Sequence, residues 1–327
     1  MRCFISTSTN PYFNLATEEY LLKNCDEEIF LIYINEPCIV VGKHQNLLAE
    51  INLQYVLENK IRLARRISGG GTVYQDFNNL NFSFIHNCKN LEEISFTRFT
   101  NPILEALLEM GLDVSFSGRN DLLIDSKKIS GNAMHILKTR VLSHGTLLFN
   151  ADLSKLSLAL KTNPQKYIDK AIKSVRSKVT NISDYLENAK PIDDFKNTIF
   201  QSITGKMNNH SSIKPLTDLE IESIGLIVKS KFETWDWIYG YSPNYIFRNN
   251  IILSNLSVQV ELHVEKSVIK RVNTDSDQTQ SAGYQEIFDT LINVKHEYIT
   301  ICELLKQNPA IHSISPISIT EFCKFLF

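Results

Sequence analysis

Residues 65–76 read RRISGGGTVYQD, and the three consecutive glycines are the feature of this sequence that points most directly to chemistry. The chain has only 12 glycines in 327 residues. A glycine run costs backbone entropy on folding, and it lets a ligand or another segment approach the backbone closely. Successive backbone N–H groups in such a turn can hold an anion, helped by the charge of Arg65 or Arg66. The alternative is a flexible turn between two strands.

The glycine run does not match the common phosphate-binding patterns. A Walker loop requires GxxxxGK followed by Ser or Thr, and no lysine follows the three glycines. The sequence GKHQN at Gly42 lacks both the earlier glycine and the final Ser or Thr. A dinucleotide-binding GxGxxG pattern that starts at Gly69 would need glycine where Tyr74 stands. What remains is a strand, a glycine turn and a second strand-like stretch.

Three further segments follow in order along the chain: GRNDLLIDSKKISGNA, HGTLLFNADLS and SVRSKVTNI. With the glycine run, they resemble the lipoate–protein ligase A family, whose pattern joins RRxSGGG(A/T)V(Y/F)HD to GRNDL, K(I/V)SG, HGTLLxNADL and SVRS(R/K)VTN. The resemblance covers the whole chain, including the NPYFNLATEEY segment and the C-terminal region. Five separated motifs at matching intervals are a more specific signal than any one of them.

The resemblance implies a ligase that works in two steps. Lipoate and ATP give lipoyl-adenylate and pyrophosphate, and the lipoyl group then passes to a lysine of a lipoyl domain. The implied acceptors are the E2 subunits of 2-oxoacid dehydrogenases and the glycine cleavage H protein. ATP and Mg²⁺ are the implied cofactors.

Lys128, in KKISG, matches the essential lysine of the family. A carboxylate and an α-phosphate must meet in the first step, and like charges about 4 Å apart repel by several kcal/mol at intermediate dielectric. The resemblance implies that Lys128 contacts both groups and then stabilises the charge that develops at the carbonyl in the second step. The alternative is a solvated strand lysine. Alternation along the strand places Lys127 on the opposite, exposed face.

The same resemblance implies a binding site for lipoate and the adenylate. Backbone amides of the glycine segment would bind the phosphate and the adenine edge, and Gly69 and Gly70 would lie close to the acyl chain. Asp121 would be a ligand of Mg²⁺, which prefers a carboxylate combined with phosphate oxygens. The implied substrate-binding residues are Arg66, Ser68, Gly69, Gly70, Gly71, Thr72, Val73, Tyr74, Asn79, Asn120, Asp121, His144, Gly145 and Thr146.

Several of these residues also have purely structural interpretations. Tyr74 could be a core aromatic, and the Asn-Asp pair of GRND could simply form a turn. His144 could be a hydrogen-bonded core residue. The SVRSKVTNI segment offers Arg176 and Lys178, for which we expect a role in ordering a loop over the adenylate.

The chain departs from the family pattern at two places. Gln75 stands where the family usually has His, and Phe77-Asn78-Asn79 replaces the usual LGN. Glutamine donates and accepts hydrogen bonds but carries no titrating proton at neutral pH. If the His performs acid–base chemistry, this protein would be slower; if it only orients a loop, nothing is lost. Asparagine tolerates left-handed backbone angles, so we expect the turn at 77–79 to persist.

The elements that must position these motifs indicate an α/β (α+β, mixed-sheet) fold. RCFIS, IFLIYINE, CIVVG and IRLARR read as strands, and a helix begins at Asn10-Pro11. LNFSFIH alternates with period two, as a half-buried strand does. ISFTRFTNPILEALLEMG contains a helix that Gly111 can cap, and several short strands follow between 118 and 150. The resemblance implies a catalytic domain like those of class II synthetases and biotin ligases.

A change in composition near WDWIYGYSPNYIFRNN predicts a second, smaller domain. After it, LSVQVELHVEK and SVIKRVNTD read as strands, and EIFDTLINV and ITICELLKQ read as helices. We therefore predict a catalytic domain at 1–245 and a small α/β accessory domain at 246–327.

Composition excludes several other classes. With 43% apolar and 21% charged residues and a net charge of −2, the chain is of ordinary globular type, and no general attraction to nucleic acid or membranes is expected. The six cysteines are scattered without zinc-site spacing. The N-terminal segment lacks a signal-peptide core, and no apolar run reaches the ~18 residues that span a bilayer. We expect a monomeric, cytoplasmic protein with reduced thiols.

The sequence leaves four alternatives to a complete ligase to be weighed, two of them disfavoured by missing residues. Acyl transferases that form a thioester need a cysteine facing the lysine strand, and none occurs between Cys88 and Cys302. A lipoyl or octanoyl transferase that takes preformed lipoyl-AMP would keep the same residues. A non-catalytic binder of lipoate or lipoyl domains is suggested only by Gln75. Biotin ligase is a weaker alternative, because the GRGRxG loop is absent.

Overall fold

The computed structural model describes a chain that divides into two compact units. The described residues are 1–90, 94–118, 120–206, 212–253, 256–275, 286–308 and 318–327. The first unit comprises Met1–Lys43, Ile61–Leu158 and Ser174–Thr234, and the second comprises His44–Lys60, Ala159–Lys173 and Trp235–Phe327. The second unit thus includes two earlier segments besides the C-terminal region. The functional domains at 1–245 and 246–327 stay a prediction.

The described chain contains both strands and helices. In chain order the strands are β1 (Arg2–Ile5), β2 (Ile29–Tyr33), β3 (Cys38–Val41), β4 (Arg62–Arg65), β5 (Val73–Gln75), β6 (Asn79–Asn87), β7 (Ser115–Ser117), β8 (Asp121–Ile124), β9 (Lys127–Leu137), β10 (Arg140–Leu148), β11 (Tyr167–Asp169), β12 (Ser212–Ile213), β13 (Tyr245–Leu253), β14 (Leu256–Glu265) and β15 (Val268–Asp275). The helices are α1 (Pro11–Asn24), α2 (Leu47–Glu50), α3 (Leu53–Glu58), α4 (Phe96–Glu109), α5 (Leu153–Ala159), α6 (Ile192–Lys206), α7 (Asp218–Ile227), α8 (Tyr298–Gln307) and α9 (Ile319–Phe325). The expected mixed-sheet α/β class is confirmed.

The first unit contains an eight-stranded sheet in the order β12-β1-β2-β6-β10-β9-β8-β7. β1 pairs in parallel with β2 and β12, and the remaining pairs are antiparallel. A separate three-stranded sheet has the order β4-β3-β5 and carries the glycine run between β4 and β5. The sequence motifs therefore lie on both sheets.

One face of the eight-stranded sheet forms the apolar core of this unit. Phe30 stacks on Phe84 with ring centroids 4.7 Å apart, and it also stacks on Phe200 of α6. Phe82, on the same face, is fully buried. The alternate residues of β6, Asn81 and Ser83, are also almost inaccessible, each 1% exposed. The half-buried interpretation of β6 is therefore wrong, because both of its faces are covered.

Helix α1 covers the polar face of that sheet. It begins as expected at Asn10-Pro11, where the Asn10 side chain accepts a hydrogen bond from the Tyr12 N–H at 2.9 Å. Its buried residues include Glu18 and Asn14, and Glu18 accepts a hydrogen bond from the Tyr33 hydroxyl at 2.9 Å. A helix that buries polar groups against a polar sheet face marks the location of the site.

The second unit is built on a four-stranded sheet in the order β11-β13-β14-β15. Its core contains Phe247, Leu262, Phe288, Leu305 and Phe322, which lie on β13, on β14 and in the C-terminal helical segments. The predicted strand pair and the helices in EIFDTLINV and ITICELLKQ are confirmed, whereas β11, β13 and α9 were not anticipated. Among the described residues, no helix is both long and apolar enough to cross a membrane.

Candidate active site

The polar face of the eight-stranded sheet brings several predicted site residues into register. Directly paired residues on antiparallel strands share a face, with Cβ atoms about 4.5–5.5 Å apart. Two neighbouring rows therefore form a floor for the site. The first row is Tyr33, Asn81, Thr146, Gly131 and Asp121, and the second is Leu31, Ser83, His144 and Ala133.

The Lys128 ammonium lies over this floor. The register between β8 and β9 shifts between Leu122 and Leu123, which places Lys128 on the same face as Gly131 and Asp121. A Cβ on Gly131 would lie 2.9 Å from the Lys128 Nζ, so glycine leaves room for the amine. The Nζ lies 2.9 Å from Asp121 Oδ1, and the two side chains are 26% and 24% exposed. This ion pair is open to a ligand.

The expected exposure of Lys127 is confirmed. The neighbouring lysines thus differ in surroundings, because only Lys128 turns towards the floor of the site. Lys127 lies beyond the shift in register and faces solvent.

The SVRSKVTNI segment connects the lysine strand to the glycine run. The Lys128 N–H donates to the Lys178 carbonyl at 2.8 Å, and the Thr180 N–H donates to the Lys128 carbonyl at 3.1 Å. At the start of the same segment, the Ser174 hydroxyl accepts from the Thr72 N–H at 2.9 Å. Ser174 was not anticipated from the sequence. The role expected for Arg176 and Lys178, whose side chains are exposed, stays a prediction.

Arg66 holds the glycine run in its shape. Its Nη2 donates to the carbonyls of Gly69 and Gly71 at 2.6 and 2.7 Å, and its Nη1 donates to the Val40 carbonyl at 3.1 Å. Its Nε donates to the Ser68 hydroxyl at 3.1 Å. Burial lowers the pKa of Arg66 to about 10, so the guanidinium stays charged at neutral pH. These contacts make Arg66 a clamp on the run, and the substrate contact expected of it stays a prediction.

Close backbone approach explains two of the glycines in this region. Gly70 has φ +86°, and a Cβ on Gly42 would lie only 2.1 Å from the Gly70 carbonyl oxygen. The Arg65 Nη1 donates to the Gly42 carbonyl at 3.0 Å and holds this crossing together. By contrast, a Cβ on Gly69 would meet no described atom within 4 Å. Gly42, which the sequence marked only as the end of a strand, is therefore a required partner of the glycine run.

His144 joins the glycine run to α1 through a buried hydrogen-bond relay. Its Nε2 lies 2.6 Å from the Ser68 Oγ, and its Nδ1 lies 2.8 Å from the Glu18 Oε2. The Glu18 carboxylate also accepts from the hydroxyls of Tyr33 and Ser83. A carboxylate only accepts, so Nδ1–H donates to Glu18; in a neutral imidazole Nε2 is then the acceptor for the Ser68 hydroxyl. Burial, followed by the Glu18 charge, raises the pKa of Tyr33 well above its usual value.

Glu18 is the functional candidate that the sequence interpretation missed. A signal for it exists, because Leu15, Glu18 and Leu22 have the spacing of one helix face. A carboxylate at such a position on a buried face needs partners. The relay supplies them.

Gln75 links side-chain amides across the site. Its Oε1 accepts from Asn35 Nδ2 at 2.8 Å, and its Nε2 donates to Asn81 Oδ1 at 2.7 Å. In the turn that follows, the Asp76 N–H donates to Asn79 Oδ1 at 3.0 Å, so the turn at 77–79 forms. Both the oxygen and the nitrogen of the Gln75 amide are thus hydrogen-bonded to other side chains of the protein.

Asn120 and Gly145 make contacts within the protein. The Asn132 Nδ2 donates to the Asn120 carbonyl at 2.7 Å, and the Asn120 side chain donates in return to the Asn132 carbonyl. A Cβ on Gly145 would lie 2.1 Å from Asn132 Oδ1, so glycine makes room for that amide. The substrate roles of both residues stay predictions. The arginine of GRND, Arg119, lies outside the described residues.

The remaining predicted residues lie at the β5 end of the glycine run. Tyr74 is 2% exposed and pairs with Ile39, which fits the alternative of a core aromatic. Val73 pairs with Val40 on the same sheet.

No group of three or more His, Cys, Asp or Glu side chains in the described part of the chain could hold a metal ion. A metal here would depend on Asp121 together with oxygens of the substrate.

Known family models and curated proteins match this sequence over almost its full length. The model of the lipoyl protein ligase A/B catalytic domain matches residues 10–204, and that of the bacterial lipoate protein ligase C-terminus matches residues 242–326. Lipoate–protein ligase 1 of Staphylococcus aureus is 38% identical over 327 residues, covering 99% of each chain. Lipoate-protein ligase LplJ of Bacillus subtilis is 37% identical over 322 residues, covering 97% of each chain.

Solved structures of lipoate protein ligases resemble this protein over part of its length. A bipartite lipoate protein ligase from Thermoplasma acidophilum, studied with its E2 lipoyl domain, matches with a TM-score of 0.61 and 25% identity. The match covers 73% of this chain and 96% of that one. A lipoate-protein ligase A bound with ATP matches with a TM-score of 0.60 and 25% identity, covering 73% of this chain and 98% of that one.

Proposed function

Because the chain belongs to the lipoate–protein ligase family, we propose that it activates lipoate with ATP and transfers the lipoyl group to a lysine of a lipoyl domain. It is an enzyme of the ligase class. The observation that carries the proposal for this chain is the Lys128 ammonium, which lies over Gly131 and 2.9 Å from Asp121 on a buried polar floor. The domain division at 1–245 and 246–327 is part of the proposal.

In the first step, a carboxylate oxygen of lipoate attacks the α-phosphorus of ATP. The bond between that phosphorus and the bridging oxygen of pyrophosphate breaks, and lipoyl-adenylate forms. Lys128 lies between the two anions and offsets a repulsion of several kcal/mol at intermediate dielectric. The glycine run, held by Arg66 and by the Ser68–His144–Glu18 relay, presents its backbone to the adenylate.

In the second step, the amine of the acceptor lysine attacks the acyl carbonyl carbon. The bond between that carbon and the adenylate oxygen breaks, AMP leaves, and the amine loses its proton. Negative charge builds on the carbonyl oxygen during the attack, and the same Lys128 ammonium stabilises it. One fixed cation therefore serves both steps.

Mg²⁺, when bound, neutralises phosphate charge, and we assign Asp121 as its protein ligand. Mg²⁺ usually takes one or two carboxylates and fills its other positions with water and phosphate oxygens. The single partly exposed carboxylate of Asp121 on the site face fits that mode. The other predicted substrate-binding residues keep the assignments that the family resemblance implies.

The acceptor class and the compartment belong to the same proposal. A lipoyl domain is the acceptor, with E2 subunits and the glycine cleavage H protein as the specific candidates. The ligase from T. acidophilum that matches this chain was studied with an E2 lipoyl domain, which supports the first. The six free cysteines suit a reducing cytoplasm. A monomer is proposed.

Pyrophosphate release with lipoate and ATP, in the absence of an acceptor protein, tests the function. A ligase releases pyrophosphate, whereas a transferase that needs preformed lipoyl-AMP and a non-catalytic binder release none. Lys128→Ala is expected to abolish release with the fold intact. The adjacent Lys127→Ala, which removes an exposed lysine from the other face, is the matched control and keeps activity near wild type. A Lys128→Ala protein that retained most of the activity would contradict the mechanism.

A further inference from the structure

A series of hydrogen-bonded polar side chains runs from Ser6, which follows β1, through α1 to the floor of the site. The Ser6 hydroxyl donates to Asn14 Oδ1 at 2.8 Å, and Asn14 Nδ2 donates to Asn35 Oδ1 at 2.8 Å. Asn35 Nδ2 donates to Gln75 Oε1 at 2.8 Å, and Gln75 Nε2 donates to Asn81 Oδ1 at 2.7 Å. Every link has the same direction, from donor to acceptor towards the site. The four amides are each at most 6% exposed.

The series ends at Asn81 with a donor that has no partner. Asn81 Nδ2 is buried and makes no hydrogen bond within the described residues, and the same holds for the Thr146 hydroxyl. The two residues are direct cross-strand partners between β6 and β10. An unsatisfied buried polar group costs about 1–3 kcal/mol, and native proteins contain few of them. Two adjacent ones on the floor of a site indicate a ligand that accepts hydrogen bonds.

The position of these donors identifies the acceptor. Thr146 pairs with Gly131 on its other side, and the Lys128 ammonium lies over Gly131. An anion held by Lys128 is therefore one strand away from Thr146 and two strands away from Asn81. The glycine run offers backbone N–H groups for the phosphate. A carboxylate, with a single charge and two oxygens, suits one ammonium flanked by two neutral donors.

We propose that Asn81 Nδ2 and the Thr146 hydroxyl donate hydrogen bonds to the carboxylate of the acyl substrate and hold it against the Lys128 ammonium. This inference rests on the proposed lipoate ligase function and adds Asn81 to the substrate-binding residues. Gln75 is then a positioning residue that acts through Asn81. Its Oε1 is occupied by Asn35, so its Nε2 faces Asn81 Oδ1 and turns the Asn81 Nδ2 towards the substrate.

The first test measures the dissociation constant of lipoate by calorimetry without ATP, together with pyrophosphate release when ATP is added. Asn81→Ala is expected to weaken lipoate binding about ten- to hundred-fold, the usual size for a hydrogen bond to a charged group. The KM for ATP should change less than about two-fold. Asn81→Ser, which keeps a small donor, should recover part of the affinity.

Ser143→Ala is the matched control for this test. Ser143 also has a buried hydroxyl without a partner in the described chain, but it pairs with Phe84 on the core face of the sheet. Its loss should leave lipoate affinity unchanged. If Asn81→Ala likewise bound lipoate with wild-type affinity, the unpaired amide would be satisfied by water and the inference would be overturned.

Gln75→Glu tests the direction of the hydrogen bonds from Asn35 through residue 75 to Asn81, with a side chain of almost the same shape as glutamine. Glutamate can accept from Asn35 but cannot donate to Asn81, so the Asn81 amide must rotate and present its oxygen to the site. We expect weaker lipoate binding in a variant whose circular dichroism and thermal melt show a folded protein. Unchanged lipoate affinity in folded Gln75→Glu would remove Gln75 from the proposal.

The two readouts separate this inference from the proposed function. If the wild-type protein released no pyrophosphate while Asn81→Ala still weakened lipoate binding, the ligase function would fail and the carboxylate site would stand. If pyrophosphate release were normal and lipoate affinity insensitive to Asn81, the reverse would hold.

Discussion

The Lys128 Nζ lies 2.9 Å from Asp121 Oδ1, in the space that a Cβ on Gly131 would crowd at 2.9 Å. Each part of this arrangement depends on the others. The shift in register between β8 and β9 turns Lys128 towards the floor, Gly131 leaves the space, and Asp121 holds the amine at the edge of the site. The ammonium is thus positioned before any substrate binds.

Asp121→Asn should slow adenylation because it removes the anion that positions Lys128 and the proposed ligand of Mg²⁺. Loss of a charge-assisted contact is worth about 1.5–3 kcal/mol, so pyrophosphate release should fall about ten-fold or more. The Mg²⁺ concentration for half-maximal release should rise. Asp125→Asn, in the exposed turn of the same hairpin at φ 48°, is the control and should stay within about two-fold. Equal rates for Asp121→Asn and wild type would show that Asp121 does neither task.

Gly42→Ala and Gly69→Ala should separate stability from substrate binding. A Cβ at 42 would lie 2.1 Å from the Gly70 carbonyl, so Gly42→Ala should lower the free energy of unfolding by about 1–3 kcal/mol. A Cβ at 69 meets no described atom within 4 Å, so Gly69→Ala should change stability by less than about 0.5 kcal/mol. Urea unfolding and lipoate calorimetry check both variants. If Gly69→Ala bound lipoate normally, the predicted approach of the substrate to Gly69 would be wrong.

The sequence was sufficient to predict the parts of the site that depend on local pattern. The alternation around Lys128 correctly placed Lys127 outside, and the helix start at Asn10-Pro11 follows from capping chemistry. The mixed-sheet class follows from the order of the elements. The motif residues Thr146 and Asp121 lie in one row of the sheet, and the Lys128 ammonium lies over Gly131 of that row.

The features of the site that the sequence did not predict depend on contacts between distant segments. Gly42 matters only because Gly70 crosses it, and Glu18 matters only because α1 covers β6 and β10. The alternation of β6 suggested a solvent-exposed face, whereas Glu18 of α1 and Gln75 contact the side chains on that face. Period-two polarity shows which residues share a face, but it does not show what covers that face.

Gln75→His should retain activity, because the two side chains offer the same pair of groups. Gln75 accepts from Asn35 and donates to Asn81, and a neutral imidazole also provides one acceptor and one donor. The rate of pyrophosphate release and the KM for lipoate should stay within about three-fold of wild type. Gln75→Leu, which has neither group, is the contrasting variant and should bind lipoate more weakly. A large gain in rate for Gln75→His would instead indicate that acid–base chemistry is missing in the native chain.

The Arg2–Glu220 pair should make the first unit sensitive to acid. Arg2 Nη1 donates to Glu220 Oε1 at 2.7 Å and Nη2 donates to Oε2 at 2.8 Å. The hydrogen bonds from Arg2 lower the pKa of Glu220 to about 2, from an ordinary value of 4.5. A depressed carboxylate pKa stabilises the fold above the unfolded value, and this contribution is lost as the pH falls from about 4.5 towards 2.

Glu220→Gln should therefore lower the free energy of unfolding by roughly 1–3 kcal/mol at pH 7 and flatten its decline below pH 5. Glutamine keeps the capping box with Thr217, so the change isolates the contact with Arg2. Glu321→Gln is the control, since Glu321 forms a capping box with Ser318 at the start of α9 without a comparable buried arginine in the described chain. Urea unfolding at pH 7, 5 and 3 measures both variants. If wild type and Glu220→Gln lost stability in parallel as the pH fell, this ion pair would not control the response of the protein to acid.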